Sequence, residues 1–179
     1  MFSEPTYIVL DIPSPVAEKV QLIRSWFDAE RAELPVEITL AGSSGLGRIA
    51  ENENNEKVFR ILTDMASRIE PFKSSFERVE RFPGTEIFYF SVSAPEKFIE
   101  IHKRIASSGI KFNPTAYPVY KPHCTLKLFS ESAEQEIRDL LNTAPLNSDF
   151  LLNTMSVYEL RDGTSPKQLF SVKLGTSVS

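Results

Sequence analysis

The residues of this chain best suited to chemistry lie in the segment PHCTLKL, residues 122–128. The segment contains His123, one of two histidines in the chain, two positions before Thr125. An imidazole titrates near neutral pH and can act as a general base or acid, and a threonine hydroxyl can donate a hydrogen bond to a phosphate oxygen. The pair is consistent with phosphate chemistry, with a purely structural histidine as the alternative.

The same segment has the composition of a β-strand, in which alternate side chains face the same way. His123, Thr125 and Lys127 are therefore predicted to share one face. Cys124 and the two leucines are predicted to face the core. The polar row combines a base, a hydroxyl and a cation, which indicates an anion site. Cys124 is the only cysteine, so we expect a small buried apolar side chain and no internal disulfide.

An earlier segment, PVEITL at residues 35–40, has the same pattern. Glu37 and Thr39 occupy in it the positions that His123 and Thr125 occupy in the later one. Both segments follow a strand, a helix that begins at a proline, and a connection that contains a proline. The helix prolines are 80 residues apart and the strands 86, so the second copy has about six extra residues.

We interpret this pattern as a degenerate duplication of a strand–helix–strand unit, over about residues 7–40 and 87–126, within a single two-lobed domain spanning 1–179. If the copies pack around a pseudo-twofold axis, their polar faces meet. The predicted catalytic and phosphate-binding site then consists of Glu37, Thr39, His123, Thr125 and Lys127.

The rest of the chain predicts further strands and helices of ordinary length. The Gly-rich loop 42–55 follows the strand that contains Thr39, so we expect it at the rim of the site, where it could close over a substrate. Further predicted elements are a helix at 57–69, strands at 74–82 and 86–92, a helix at 131–142, and a hairpin of strands 149–160 and 168–174 around the turn 161–166.

Composition narrows the classes of partner. The net charge is −4, and no dense run of Lys and Arg occurs, so we expect no long duplex nucleic acid as a partner, whereas a small anion in a local pocket remains compatible. We expect no membrane association, because no apolar run approaches the roughly 20 residues that span a bilayer. The N-terminus lacks a signal-peptide pattern, so a cytoplasmic protein is expected. We also expect a monomer, although the sequence alone does not determine the oligomeric state.

Taken together, these features resemble the two-histidine phosphoesterase superfamily, which includes 2'-5' RNA ligase-like proteins and RNA 2',3'-cyclic phosphodiesterases. PHCTLKL is similar to the second of the family's two His-x-Thr/Ser motifs. RFPG at residues 81–84 and the closing hairpin SVYELRDGTSPKQLFSVKL also resemble the family. The resemblance implies an α+β, bilobal duplicated fold with two antiparallel sheets around a central cleft and helices on the outside.

The resemblance also implies a chemistry. Family members act on a cyclic phosphate or a 2'-5' phosphodiester of a nucleotide or RNA end, without a metal or other cofactor. One histidine acts as base and the other as acid, while the Thr or Ser hydroxyls hold the phosphate. Two positions beside the site, Tyr120 and Phe129, are candidates for stacking a base.

The chain departs from the family at Glu37, where the first motif has histidine. His102 lies in the predicted helix FIEIHKRI, where we expect it at the helix surface or boundary rather than in the site. One hypothesis is a phosphodiesterase with His123 as base and Glu37 as acid, since burial or a bound phosphate could keep this carboxyl protonated. The alternative is a degraded relative that binds a nucleotide, RNA end or other anion without turnover. A third hypothesis is that the likeness to the family is accidental and His123 is structural.

Overall fold

A computed structural model describes residues 1–128, 130–160 and 166–176 of the chain. It consists of nine strands and five helices within these ranges. In chain order they are β1 (Thr6–Asp11), α1 (Val16–Phe27), α2 (Ala29–Ala32), β2 (Glu37–Ala41), α3 (Asn55–Ser67), β3 (Phe72–Ser74), β4 (Phe76–Arg81), β5 (Phe88–Val92), α4 (Pro95–Ala106), β6 (His123–Lys127), α5 (Glu134–Leu141), β7 (Phe150–Leu152), β8 (Thr154–Glu159) and β9 (Lys167–Lys173).

Two antiparallel sheets form the two lobes. One has the strand order β2-β1-β8-β9 and the other β4-β5-β6, and β3 pairs with β7 in a separate two-stranded ladder. The predicted fold class, α+β with two lobes and two antiparallel sheets around a central cleft, is confirmed. The predicted strand 149–160 divides at Asn153, because β7 pairs with β3 whereas β8 pairs with β1 and β9.

The sequence periodicity places the helices against the sheets. In α1 the buried positions include Val16, Val20 and Ile23, and in α4 they are Phe98, Ile101 and Ile105. Each set recurs at three- and four-residue spacing, so one side of each helix packs on the core.

Two helix starts are defined by their N-caps. The N-cap of α1 is Pro15, and the Ser14 hydroxyl donates to the Glu18 carboxylate. The third helix begins at Asn55 rather than at residue 57, since the Asn54 side chain accepts from the Lys57 amide. Residues 161–165 of the predicted turn, and Phe129, lie outside the described residues.

Strands β2 and β6 are the edge strands of the two main sheets, and they lie beside each other. Side chains of the second half cover backbone groups of β2: the Tyr120 hydroxyl donates to the Thr39 carbonyl at 3.0 Å, and Nδ1 of His102 donates to the Leu40 carbonyl at 2.7 Å. Unpaired buried carbonyls are unfavourable, so these bonds stabilise the junction.

The first half covers β6 in the same way. Nε of Arg24, on α1, donates to the Thr125 carbonyl at 3.0 Å, and the Asp28 carboxylate accepts from the Leu128 amide at 3.0 Å. Asp28 also caps α2, where its other oxygen accepts from the Arg31 amide. Each half therefore holds the edge strand of the other that carries a motif, which fixes the two motifs relative to each other.

Candidate functional site

The wall of the first lobe is the polar face of its sheet. Cross-strand partners share a face, and the register pairs Asp11 with Glu37 and Tyr7 with Tyr158. Asp11 accepts hydrogen bonds from the hydroxyls of Ser156 and Tyr158. Burial raises the pKa of Asp11, and these two hydrogen bonds oppose the shift. This wall contains two carboxylates rather than a histidine.

Glu37 is only 8% exposed. The Thr39 hydroxyl donates to its Oε2 at 3.0 Å, and the guanidinium of Arg31 lies 3.8 Å from its Oε1. Burial raises the pKa of Glu37, while the positive charges of Arg31 and Arg24 and the bond from Thr39 act in the opposite direction. A buried carboxyl with a raised pKa is suited to hold and deliver a proton.

The wall of the second lobe presents His123. Its register partner is Ser91, and Thr125 pairs with Tyr89 on the same face. The Lys121 carbonyl lies 2.6 Å from Nδ1 of His123, and because a carbonyl only accepts, Nδ1 carries a proton. Nε2 of the neutral ring therefore carries the lone pair that is available to a substrate.

Two aromatic rings enclose His123. The ring centroids of Phe82 and Tyr89 lie 5.1 and 5.0 Å from that of the imidazole, both edge-on. Burial lowers the pKa of His123, and the charges of Arg31 and Lys121 also lower it, while the bond to the Lys121 carbonyl opposes them. The imidazole is consequently held neutral at pH 7, the form that a general base requires.

Thr125 completes the second motif. Its side chain is half-buried, and its hydroxyl has no hydrogen-bond partner in the part of the chain that the structure describes. The Thr39 hydroxyl, by contrast, donates to Glu37. Of the two threonines predicted to hold a phosphate, only Thr125 thus has a hydroxyl free to do so in this structure.

Arg31 is a site residue that the sequence interpretation missed. Its Nε donates to the Thr125 carbonyl at 3.4 Å, and its guanidinium faces Glu37. The side chain is 14% exposed. Its charge also acts on the pKa values of His123 and Tyr7, which places it between the two motifs. Arg31 lies in α2, the short helix before β2, where sequence alone gave no signal for it.

Lys127 does not lie on the polar row with His123 and Thr125, which corrects the sequence prediction. Phe88 and Tyr89 are adjacent in β5, but their partners Lys127 and Thr125 are two residues apart, so β6 contains a β-bulge. A bulge disrupts the alternation of faces. Lys127 is buried and its Nζ contacts Glu136 on α5 at 2.7 Å, a partner outside the polar row.

Tyr120 and His102 form a unit beside β2. Their rings stack with centroids 3.9 Å apart and nearly parallel planes. The Tyr120 hydroxyl is bonded to the Thr39 carbonyl. Tyr120 is therefore engaged with the protein rather than presented to a base. His102 lies within α4, is half-buried, and supports β2 through the Leu40 carbonyl.

The Gly-rich loop begins at the site and is fixed in place. A Cβ at Gly42 would lie 2.6 Å from Cγ2 of Thr39 and 3.5 Å from Cβ of Tyr7, so the backbone passes directly against the polar face. Further along, the amide of Gly45 donates to the Tyr117 carbonyl at 2.8 Å. The loop forms a rim of the site, as predicted, but these contacts do not describe a free lid.

Neither a metal site nor a membrane span is found in the described ranges. Among the residues described, no group of three or more His, Cys, Asp or Glu side chains is arranged to hold a metal ion. Within the same ranges, no helix is both long and apolar enough to cross a bilayer.

Solved structures share this fold over nearly the whole chain. The protein TT0787 of Thermus thermophilus matches with a TM-score of 0.71 and 13% identity, covering 96% of this chain and 98% of that one. Escherichia coli LigT, solved with 3'-AMP, matches with a TM-score of 0.65 and 18% identity, covering 97% and 98%. LigT solved with phosphate matches with a TM-score of 0.63 and 18% identity, covering 97% and 98%.

Sequence comparisons give the family. A search of curated proteins gives no significant match. The sequence profile of the 2'-5' RNA ligase superfamily matches residues 12–164, which include both motifs and the strands that carry them. The chain therefore belongs to the 2'-5' RNA ligase superfamily.

Proposed function

We propose that this protein is a 2'-5' RNA ligase-like phosphodiesterase that hydrolyses a cyclic phosphate or a 2'-5' phosphodiester of a nucleotide or RNA end without a metal. The observation that carries the proposal is the state of His123. Its Nδ1 proton is committed to the Lys121 carbonyl, and burial favours the neutral ring. Nε2 is therefore a base oriented away from the backbone.

In this mechanism Nε2 of His123 removes a proton from water, and the water oxygen forms a new bond to phosphorus. The bond from phosphorus to the 2' or 3' oxygen breaks, and Glu37 supplies the proton that this leaving oxygen needs. Glu37 fits the role of acid because burial raises its pKa. A cyclic phosphate gives a single product with a phosphomonoester and a free neighbouring hydroxyl. A 2'-5' phosphodiester gives two fragments, one with the phosphomonoester and the other with the free hydroxyl.

The phosphate would be bound by groups of both motifs. The Thr125 hydroxyl and the guanidinium of Arg31, which contacts the Thr125 carbonyl, are both suited to phosphate oxygens. The Thr39 hydroxyl would join them after turning away from Glu37. Arg31 takes the cationic role that the sequence assigned to Lys127. The LigT structures with 3'-AMP and with phosphate support a nucleotide or phosphate ligand for this fold.

A second candidate function, binding without turnover, is favoured by a different contact. The Thr39 hydroxyl donates to Glu37, and Arg31 faces the same carboxylate, so the first half-site is internally satisfied. An ionised Glu37 would repel a phosphate and provide no proton. The protein would then hold a nucleotide or RNA end on the second motif alone.

Hydrolysis of nucleoside 2',3'-cyclic phosphates, followed by ³¹P NMR, separates the two functions. Wild-type protein is expected to convert the cyclic phosphate to a monoester, and His123→Ala is expected to lose that activity. Turnover that is unchanged in His123→Ala would refute the mechanism. Saturable binding of the ligand with no turnover would establish the second candidate.

A further inference from the structure

A cavity lies between the loop that follows β2 and the segment that precedes β6. Its volume is about 340 Å³, within the range of small-molecule pockets. The polar residues that line it are Ser43, Arg48, Asn113, Thr115 and Tyr117. Neither motif contributes a side chain to this lining.

The walls of the cavity are held together by the backbone. The Gly45 amide donates to the Tyr117 carbonyl at 2.8 Å, and the Asn113 amide donates to the Arg48 carbonyl at 2.8 Å. The Thr115 hydroxyl donates to the Ser43 carbonyl. Gly47 has a φ of +88°, and a Cβ there would overlap the Asn113 carbonyl oxygen at 1.8 Å, so this close approach requires glycine. The cavity is therefore preformed.

Chain geometry connects the cavity to the phosphate site. Gly42 lies against the Thr39 methyl group on the polar face, and the next residue, Ser43, lines the cavity. Ser43 is four positions after Thr39, which limits their Cα separation to roughly 14 Å. The edge of the cavity at Ser43 is therefore close enough to Thr39 for one extended ligand to contact both.

The lining has the chemistry that recognises a nucleotide. Arg48 is exposed, and its guanidinium has no hydrogen-bond or ion-pair partner among the residues that the structure describes. Tyr117 is 69% exposed, which leaves a ring face available for stacking. Asn113 and Ser43 add side-chain hydrogen-bonding groups. A cation for a phosphate, a ring for a base and amide or hydroxyl groups for edges are thus collected in one cavity.

We propose that this cavity binds the second nucleotide of a single-stranded RNA 3' end, the one 5' to the nucleotide whose 2',3'-cyclic phosphate occupies the cleft. The proposal rests on the proposed function and adds to it a subsite for the preceding nucleotide. Arg48 binds the phosphate that links the two nucleotides, and Tyr117 stacks on the second base. The overall charge of −4 suits a short end held by few cations.

The experiment compares a nucleoside 2',3'-cyclic phosphate with a dinucleotide that ends in the same group. For wild-type protein, the dinucleotide is expected to bind or turn over about tenfold better, as expected for one stacked base and one phosphate contact. Arg48→Gln and Tyr117→Ala are each expected to bring this ratio toward one, with the mononucleotide value as the internal reference. Arg60→Gln, which removes an exposed arginine from α3, is the matched control and should leave the ratio at its wild-type value.

The outcomes distinguish the assignment of the cavity from the proposed function. A wild-type ratio near one, or a ratio that Arg48→Gln leaves unchanged, would overturn the cavity's assignment while His123-dependent action on the mononucleotide preserves the proposed function. Absence of both binding and turnover for both ligands would overturn the proposed function, and the cavity's assignment with it. A reduced ratio in both cavity variants but not in Arg60→Gln supports the proposal.

Discussion

The guanidinium of Arg24 donates to the carbonyl of Pro35 at 3.1 Å. Pro35 precedes Glu37 by two residues, just as Lys121 precedes His123. In the second half the equivalent carbonyl accepts from Nδ1 of His123 and orients the ring. In the first half a buried arginine from α1 binds the carbonyl that would orient a histidine at position 37.

The divergence of the two half-sites therefore includes the groups around Glu37. Arg24 also donates to the Leu34 carbonyl at 3.2 Å, and its side chain is completely buried. With Arg31 it forms a pair of cations beside Glu37. A carboxylate at position 37 compensates this positive charge, whereas a histidine would not. The substitution fits its surroundings electrostatically.

His123→Gln is expected to lower turnover of a nucleoside 2',3'-cyclic phosphate by about 10²–10⁴-fold, the usual contribution of a general base.

The lowered pKa of His123 keeps the base active at pH values below the ordinary 6.5 and makes activity fall as the ring protonates. The raised pKa of Glu37 makes activity fall as the acid ionises above the ordinary 4.5.

The pH profile of kcat/KM is therefore expected to be bell-shaped. Its acidic limb reports His123 and its alkaline limb reports Glu37. Loss of the alkaline limb in Glu37→Gln would assign that limb. A profile that Glu37→Gln leaves unaltered would argue against the assignment.

Glu37→Gln is expected to affect binding and turnover in opposite directions. At a pH high enough for Glu37 to be ionised, removing its charge beside Arg31 frees that cation for an anion, so affinity for inorganic phosphate should rise, by several-fold. Turnover should fall because an amide carries no proton for the leaving oxygen. Isothermal titration calorimetry and the ³¹P assay measure the two effects.

Glu37→His is the companion variant. Its imidazole would have to share the Pro35 carbonyl with Arg24. If this variant gains turnover where the natural protein has none, the natural chain is the binding form. If the natural protein already turns over and Glu37→Gln is fully active, Glu37 is not the acid.

Arg31→Gln is expected to weaken phosphate binding by about tenfold or more, because it removes the charge that faces both motifs. Arg31→Lys should retain part of the affinity, since it keeps the charge but not the planar guanidinium. Titration with phosphate measures both, and Arg60→Gln controls for loss of an exposed charge. Equal affinities in wild type and Arg31→Gln would mean that Arg31 does not bind the phosphate.

Lys127→Met is expected to leave phosphate affinity within about twofold of wild type, because Nζ of Lys127 is paired with Glu136 outside the polar row. Stability should fall, by about 1 kcal/mol, as Glu136 is only partly buried and water replaces part of the lost contact. Phosphate titration and urea unfolding measure the two quantities. A large loss of phosphate affinity in a folded variant would mean that Lys127 takes part in phosphate binding.

The alternating pattern of β6 was enough to predict that His123 and Thr125 share a face and that Cys124 is buried. It could not predict the position of Lys127, because a single-residue bulge leaves no mark on apolar periodicity. The role of Arg24 could not be predicted either. It lies on the buried face of α1, where a helical pattern calls for apolar residues, and its partners are backbone carbonyls distant in sequence.

Tyr120→Phe tests the contact that holds β2 from the second half of the chain. The variant removes the hydroxyl that donates to the Thr39 carbonyl and keeps the ring that stacks on His102. Because the carbonyl loses its partner at the junction of the lobes, the free energy of unfolding should fall by about 1–2 kcal/mol. Urea unfolding followed by circular dichroism measures it. Tyr117→Phe is the matched control, since that exposed hydroxyl has no partner in the described ranges, and it should change stability by less than about 0.5 kcal/mol. Equal stabilities of the two variants would mean that this hydroxyl contributes nothing to holding β2.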